Sequence, residues 1–254
     1  RGIVGESLTP EVAVRYAGAF GTWLDERCDW RPMVVLANDG RVGGEAVAYA
    51  AAAGLLAAGC RVRYLRTAAT PLTDDDDAHE SDGRGRVADH HAAICAPPAS
   101  VVAEIINGFE AGTCVWQEPR WVGSFTDSND VDNPHCLRVL NAVGALVGAE
   151  DEQFWWWLDE RASYRIVIDA VNASASFINR IMFEDTPVQM IALHGEGSGV
   201  FPPTPEPTAE NLSGEGGLCD AVPGVKADVG FAQDPDADRL AIVDENGRYI
   251  GEEY

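Results

Sequence analysis

Apolar positions along the chain fall into two alternating rhythms. Behind Thr9-Pro10, Val12, Tyr16, Phe20 and Leu24 recur every four residues. That spacing lines one face of a helix, and a capping hydroxyl followed by Pro at the first helical position marks its start. Met33-Val34-Val35-Leu36 is an unbroken apolar run, read as a short buried strand that enters the turn Asn38-Asp39-Gly40-Arg41. Gly43-Gly44-Glu45 opens an Ala-rich helix that stops at Gly59, and Arg61 to Leu65 forms the next strand. Strand, turn, helix and strand in this order predict a parallel sheet covered by helices.

Residues 73–90 break the rhythm with Asp74-Asp75-Asp76-Asp77 and Ser81-Asp82-Gly83-Arg84-Gly85, the composition of a solvated loop. Regular structure resumes at His91 to Cys95. Trp116 to Pro134 reads as a long surface connection and 135–160 as helix, closing near Trp155-Trp156-Trp157. Three adjacent Trp cannot all face one way on a helix; they are either a cover for a domain junction or ordinary core and surface residues. A second unit starts near Ser163. Arg165 to Ala170, Gln189 to Leu193 and Ala227 to Gln233 are strands, with a helix from Ala173 and a Pro-rich loop from Gly199 to Pro207. Leu240 to Asp244 and Arg248 to Ile250 flank Glu245-Asn246-Gly247 as a hairpin. The expected division is 1–160 and 161–254.

The 254 residues carry 41 acidic against 18 basic side chains, a net charge of −23, and the only Lys is Lys226. Such a surface repels phosphate polymers and anionic lipid, which argues against nucleic acid and membrane as partners. Solubility or a saline habitat accounts for the acidity; the other account is that some carboxylates hold a cation. The stretch Ala46 to Cys60 is too short and too rich in Ala and Gly to span a bilayer. No secretory signal is expected, and a start at Arg1 rather than Met is expected of a chain whose natural N-terminus lies upstream. Six Cys without a CxxC pair point to a reducing, cytoplasmic compartment and no zinc.

The sharpest chemical feature is Asp234-Pro235-Asp236-Ala237-Asp238-Arg239, with three carboxylates at alternate positions after an apolar strand. In a loop that spacing can converge three oxygens on one point, where they repel unless a cation sits among them. Hard oxygen ligands select Mg²⁺, Ca²⁺ or Mn²⁺, and Arg239 can partly neutralise the cluster or bind a phosphate. An EF-hand loop wants Gly where Arg239 stands. An aspartyl-phosphate hydrolase motif fits Asp234 and Asp236 but has Thr or Val where Asp238 stands. A metal-free acidic turn is the remaining alternative. Gly195-Glu196-Gly197-Ser198-Gly199 lacks phosphate-loop spacing. Gly43-Gly44 either faces an anion or serves close packing. His90-His91 reads as a satisfied or exposed pair rather than a ligand.

Several segments in order resemble one family, the α-D-phosphohexomutases (phosphoglucomutases and phosphomannomutases). These are Arg1-Gly2-Ile3-Val4-Gly5 with Leu8-Thr9-Pro10-Glu11, Asp39 to Glu45, Val167 to Asn172, Phe201-Pro202 with Pro205-Glu206-Pro207-Thr208 and Glu210-Asn211-Leu212, and Asp234 to Arg239. The resemblance implies an α/β fold of two consecutive α/β/α sandwich domains with mixed sheets, the first two of a four-domain family. It implies a phosphoserine that lends its phosphoryl group to a sugar phosphate and recovers another from the resulting bisphosphate.

Pro98-Ala99-Ser100-Val101-Val102-Ala103 falls where that family has Thr-Ala-Ser-His-Asn-Pro, and Asn107-Gly108-Phe109-Glu110 where it has Asn-Gly-x-Lys. Ser100 therefore aligns with the phosphoserine, while the Lys credited with proton transfer has become Glu110. The implied catalytic set is Ser100, Glu110, Arg41 and Arg1. The implied metal set is Asp234, Asp236 and Asp238 with Ser100, the cofactor Mg²⁺, and Arg239 would hold phosphate. The expected function is intramolecular phosphoryl transfer on a hexose phosphate. The alternatives are a non-catalytic relative that keeps fold and metal loop, and an aspartyl-phosphate hydrolase. The two domains without their sugar-reading and phosphate-gripping partners are not expected to turn over substrate. Neither the hexose nor the oligomeric state follows from the sequence.

Overall fold

Thr9 begins the first helix as its residue type predicts: its Oγ accepts the Val12 N–H at 3.4 Å, and Pro10 occupies the first helical position. Helix α1 is Pro10–Asp25. The computed structural model describes residues 5–28, 31–69, 99–128, 132–146, 164–184, 186–202 and 204–253. The acidic run at 74–77, the His90-His91 pair and Trp155-Trp156-Trp157 lie outside them. Two compact units emerge, the first containing 5–38, 43–66 and 99–128, the second containing 39–42 and the described chain from 132 onward.

In the first unit the face that α1 buries differs from the four-residue stripe of large residues. Ala13, Ala17, Gly18, Gly21 and Leu24 are buried, while Tyr16 is 41% exposed. The cause is the neighbour, helix α2 (Gly44–Ala57). A Cβ on Gly54 would run into the Val14 carbonyl and come within 2.9 Å of the Gly18 nitrogen; one on Gly21 would stand 2.7 Å from the Ala58 Cβ. Two backbones this close accept only small residues between them, so the larger side chains fall beside the contact. Tyr16 instead meets the Phe109 ring at 5.9 Å.

Strands β1 (Met33–Asn38), β2 (Arg61–Thr67) and β3 (Phe125–Asp127) form a sheet in that order. β2 and β3 are parallel, with Val62 opposite Phe125. Strand β3 thus lies inside the stretch expected to be a surface connection. Its side chains are exposed, so no buried apolar run announces it. Leu24, Val34, Leu55, Cys60 and Val62 make the core between helices and sheet. Helix α3 (Ala99–Ala111) is fastened to α1, since Trp23 Nε1 and Arg27 Nη2 both donate to Glu104 Oε2 at 2.8 Å.

The second unit is built on β4 (Arg165–Asp169), β5 (Gln189–Leu193), β6 (Val229–Gln233), β7 (Leu240–Asp244) and β8 (Tyr249–Glu253). The strand order is β5-β4-β6-β7-β8. The first three are mutually parallel and the last two antiparallel, giving a mixed sheet. Alternation along β4 sends Val167 into a core with Leu218, Val222, Ala232 and Val243. Leu218 and Val222 belong to helix α7 (Leu218–Gly224) on that face. Helix α5 (Ala175–Glu184) packs against β5, and helix α4 (Asp132–Leu146) packs on α5, with Cys136 Sγ 3.8 Å from the Ile178 carbonyl. A short helix, α6 (Ala209–Leu212), is capped by Thr208, whose Oγ accepts the Asn211 N–H at 3.4 Å. No described helix is long and apolar enough to cross a membrane.

Candidate functional site

Parallel strands end their carboxyl termini on one edge, and in open α/β sheets that edge is where ligands bind. Here β4, β5 and β6 end together: Asp169 closes β4, His194 follows β5 and Asp234 follows β6. Residues 234–239 form the whole connection between Gln233 and Leu240, which pair across β6 and β7.

The loop is held by its own backbone and by the segment after β4. The Ala237 N–H donates to the Asp234 carbonyl at 3.0 Å, closing a turn, and Ala237 sits at φ 58°. Ser174 donates through both its N–H (3.3 Å) and its Oγ (2.8 Å) to the Pro235 carbonyl. Within this frame Asp234, Asp236 and Asp238 each offer an oxygen, all within 4.8 Å of one another. Asp234 is only 2% exposed.

Electrostatics in the loop follow from crowding. Burial, then the hydrogen bond with Asp234 and the negative charges of Asp234 and Asp238, push the Asp236 carboxyl up to about 6. Burial and the charge of Asp234 also raise Asp238. Asp234 goes the other way: burial alone would raise it, but hydrogen bonds from Asp236 and Arg239 hold it below the ordinary carboxylate value. Arg239 donates its backbone N–H to Asp234 Oδ1 at 3.2 Å and its Nε–H to Oδ2 at 3.0 Å. Nη2 stands 2.8 Å from the same Oδ2, and Nη1 pairs with Glu206 at 2.6 Å.

The donor set fits a small hard cation. Three carboxylate oxygens span about the width of a shell of oxygen ligands at roughly 2.0–2.6 Å. The crowding that raises Asp236 and Asp238 is the kind that a bound positive charge relieves.

The neighbouring strand ends carry a second arrangement that sequence reasoning did not single out. The Asp169 carboxylate is 4% exposed; it accepts the Val171 N–H at 3.0 Å and faces His194 Nδ1 at 3.1 Å and 3.2 Å. Burial raises its pKa against the opposing pull of the Val171 N–H and His194. Val171, Asn172 and His194 all have positive φ, at 45°, 58° and 46°. Such strain persists where surrounding bonds over-determine it; here the Asn172 N–H meets the His194 carbonyl at 2.6 Å and its Nδ2 meets the Val200 carbonyl at 3.0 Å. A legible signal did exist, since each of these polar residues stands just past, or at the last position of, an apolar strand.

The turn 39–42 groups with this unit. Arg41 Nε pairs with Asp39 Oδ2 at 2.9 Å, and its guanidinium lies 5.6 Å from the Phe201 ring centre. A Cβ on Gly199 would collide with the Gly40 carbonyl, so Gly199, at φ 70°, is what lets the turn lie against the Pro-rich loop.

In the first unit Ser100 is the second residue of α3 and is exposed; Glu110 is in the last turn of the same helix. At about 1.5 Å per residue, ten residues put them about 15 Å apart along the axis, so the helix does not bring Ser100 and Glu110 together. Val101-Val102-Ala103 holds no Pro, so nothing in it interrupts the helix that runs through Ala99–Ala111. Arg1 lies outside the described residues.

A mixed α/β sheet with an acidic loop at the carboxyl edge of its parallel strands defines a class of α/β domain with a candidate cation site. Comparison with known proteins narrows the class. The model for "Phosphoglucomutase/phosphomannomutase, alpha/beta/alpha domain I" matches residues 1–74, and that for "alpha/beta/alpha domain II" matches 153–247. The chain belongs to the phosphoglucomutase/phosphomannomutase family, with two α/β/α domains.

A "Phosphoglucomutase/phosphomannomutase" of Thermococcus kodakarensis is 28% identical over 98% of this chain and 55% of its own length. A "Probable phosphoglucosamine mutase" of Pyrococcus horikoshii is 31% identical over 98% of this chain and 53% of its own. The chain spans about half the length of the curated relatives it matches. The crystal structure of a phosphoglucomutase/phosphomannomutase family protein from Burkholderia thailandensis shares the fold, with a TM-score of 0.78 at 22% identity over 98% of this chain and 54% of that one.

Proposed function

We propose that the chain carries the phosphoryl-transfer part of a phosphohexomutase acting on a hexose phosphate in the cytoplasm, with Ser100 as phosphoryl carrier and Asp234, Asp236 and Asp238 as Mg²⁺ ligands. The observation that carries this reading is the convergence of the three carboxylate oxygens within 4.8 Å at the carboxyl edge of the parallel strands. In the transfer, the bond from phosphorus to Ser100 Oγ breaks as one forms to a sugar hydroxyl, whose proton leaves to a base. The resulting bisphosphate returns its other phosphoryl group to Ser100. Bound Mg²⁺ supplies positive charge for the transferring phosphoryl oxygens. Arg41 and Arg239 contribute fixed guanidinium groups that can meet phosphate oxygens; Arg1 is the third candidate.

A second reading is favoured by the continuous helix from Ala99 to Ala111, which sets Ser100 and Glu110 at opposite ends. On that reading the chain keeps the fold and the cation loop without turnover. Incubation with a hexose 1,6-bisphosphate and Mg²⁺, followed by phosphopeptide mapping, separates the two. Phosphate on Ser100 supports the mutase reading. No phosphate, with cation binding retained, supports the non-catalytic one. Phosphate on Asp234 points to aspartyl-phosphate chemistry.

A further inference from the structure

Asp234 has two carboxylate oxygens in unlike surroundings. Oδ2 is covered by guanidinium, with Arg239 Nε at 3.0 Å and Nη2 at 2.8 Å. Oδ1 receives the backbone N–H of Arg239, at 3.2 Å, and no part of its guanidinium. A divalent cation at Oδ2 would stand against a fixed positive charge, whereas Oδ1 keeps a lone pair clear of the guanidinium. Which oxygen stays clear depends on where the guanidinium is held, and its second anchor is Glu206, 2.6 Å from Nη1.

Glu206 is built to hold still. Pro205 and Pro207 flank it with fixed φ, and Pro207 is fully buried. Its carbonyl accepts the Thr208 N–H at 2.8 Å and Asn211 Nδ2 at 2.9 Å. The side chain is therefore aimed from a rigid backbone. Without that anchor the Arg239 head, tied only to Asp234 and 3.8 Å from Asp238, can swing across the oxygens the cation needs.

We infer that Glu206 is a positioning residue for the cation loop: it holds the Arg239 guanidinium on Oδ2 of Asp234, so that Oδ1 is the oxygen presented to the cation. This rests on the reading of Asp234, Asp236 and Asp238 as metal ligands. Glu206 itself does not touch the cation.

The test is titration of the 254-residue chain with Mn²⁺, followed by calorimetry and by the electron paramagnetic resonance signal of free Mn²⁺. Glu206 has a half-exposed side chain on a surface loop, so Glu206→Gln and Glu206→Ala are expected to fold, as circular dichroism will verify. Both should weaken Mn²⁺ binding at least fivefold in about 0.1 M salt. An effect of charge at a distance fades at about 0.5 M salt, where the Debye length falls to a few ångström. A positional effect keeps at least a threefold loss there.

Affinity within twofold of the unaltered chain in both variants, or a loss that vanishes in high salt, overturns the inference while leaving the metal site intact. Asp236→Asn is the separate control. If it binds Mn²⁺ as tightly as the unaltered chain, or if the unaltered chain binds none, the metal-site reading fails and the inference falls with it.

Discussion

Arg239→Met removes a guanidinium that touches a nearly fully buried carboxylate. Asp234 is 2% exposed and Arg239 approaches it at 2.8–3.0 Å. At an effective dielectric near 20 the gross attraction at that range is about 6 kcal/mol. Much of it offsets the desolvation of the two groups, and Arg239, about one-third exposed, is partly screened. Breaking a buried pair from one side costs about 3–5 kcal/mol because the other charge stays behind. With the screening discount we expect about 3 kcal/mol, roughly a 150-fold drop in the folding constant.

The assay is urea unfolding at pH 7 in EDTA, so that no cation replaces the lost one. The pH dependence has a definite sign. The folded pKa of Asp234 is depressed, so its pairing stabilises the chain above the ordinary carboxylate value and that stability is lost as pH falls through the folded value. The gap between unaltered chain and variant should therefore narrow as pH falls from 7 toward 3. Adding Asp234→Asn to Arg239→Met should recover most of the loss, since no charge is then left buried. A cost below about 1 kcal/mol in EDTA, or a double variant as unstable as the sum of its singles, would refute the reasoning.

Other outcomes follow from the same geometry. Mg²⁺ at a hundred times its dissociation constant should raise stability by about 2.7 kcal/mol, reversibly with EDTA, and the rise should be absent in Asp236→Asn; equal shifts in the two would remove the loop from the metal site. Because burial raises the Asp169 pKa, the folded state holds the extra proton between the ordinary carboxylate value and the raised one, so Asp169 subtracts stability as pH climbs through that window. Asp169→Asn should flatten this component of the urea midpoint above the ordinary carboxylate value, and an unchanged slope would contradict it. Gly54→Ala must push α1 from α2 and should cost about 1–3 kcal/mol by overpacking; thermal unfolding with no shift would mean the helices are not this close. Glu110→Gln should leave phosphate incorporation at Ser100 within about twofold, the two being about 15 Å apart on one helix, and a tenfold loss would place them together after all.

Local signals in the sequence determined the start of α1, the strands β1, β2, β4, β5, β6 and β7 and the existence of the acidic loop. Each rests on short-range physics: Thr9 caps because its hydroxyl reaches Val12, and Val167 is buried at the centre of the apolar run Ile166-Val167-Ile168. The alternate carboxylates after β6 were legible for the same reason, since a loop of 234–239 must gather them once β6 and β7 pair.

Tertiary structure decided the rest. Which face of α1 is buried depends on how closely α2 approaches, so Ala17, Gly18 and Gly21 replaced Tyr16 at the contact. Strand β3 exists only because β2 offers it an edge. The stretch from Ala99 to Ala111 is one helix, and that separates Ser100 from Glu110. Likewise the meeting of Asp169 with His194, and of Glu206 with Arg239, joins residues 25 and 33 positions apart. Contacts across such distances are fixed by strand order and loop path, and no local pattern in the chain encodes them.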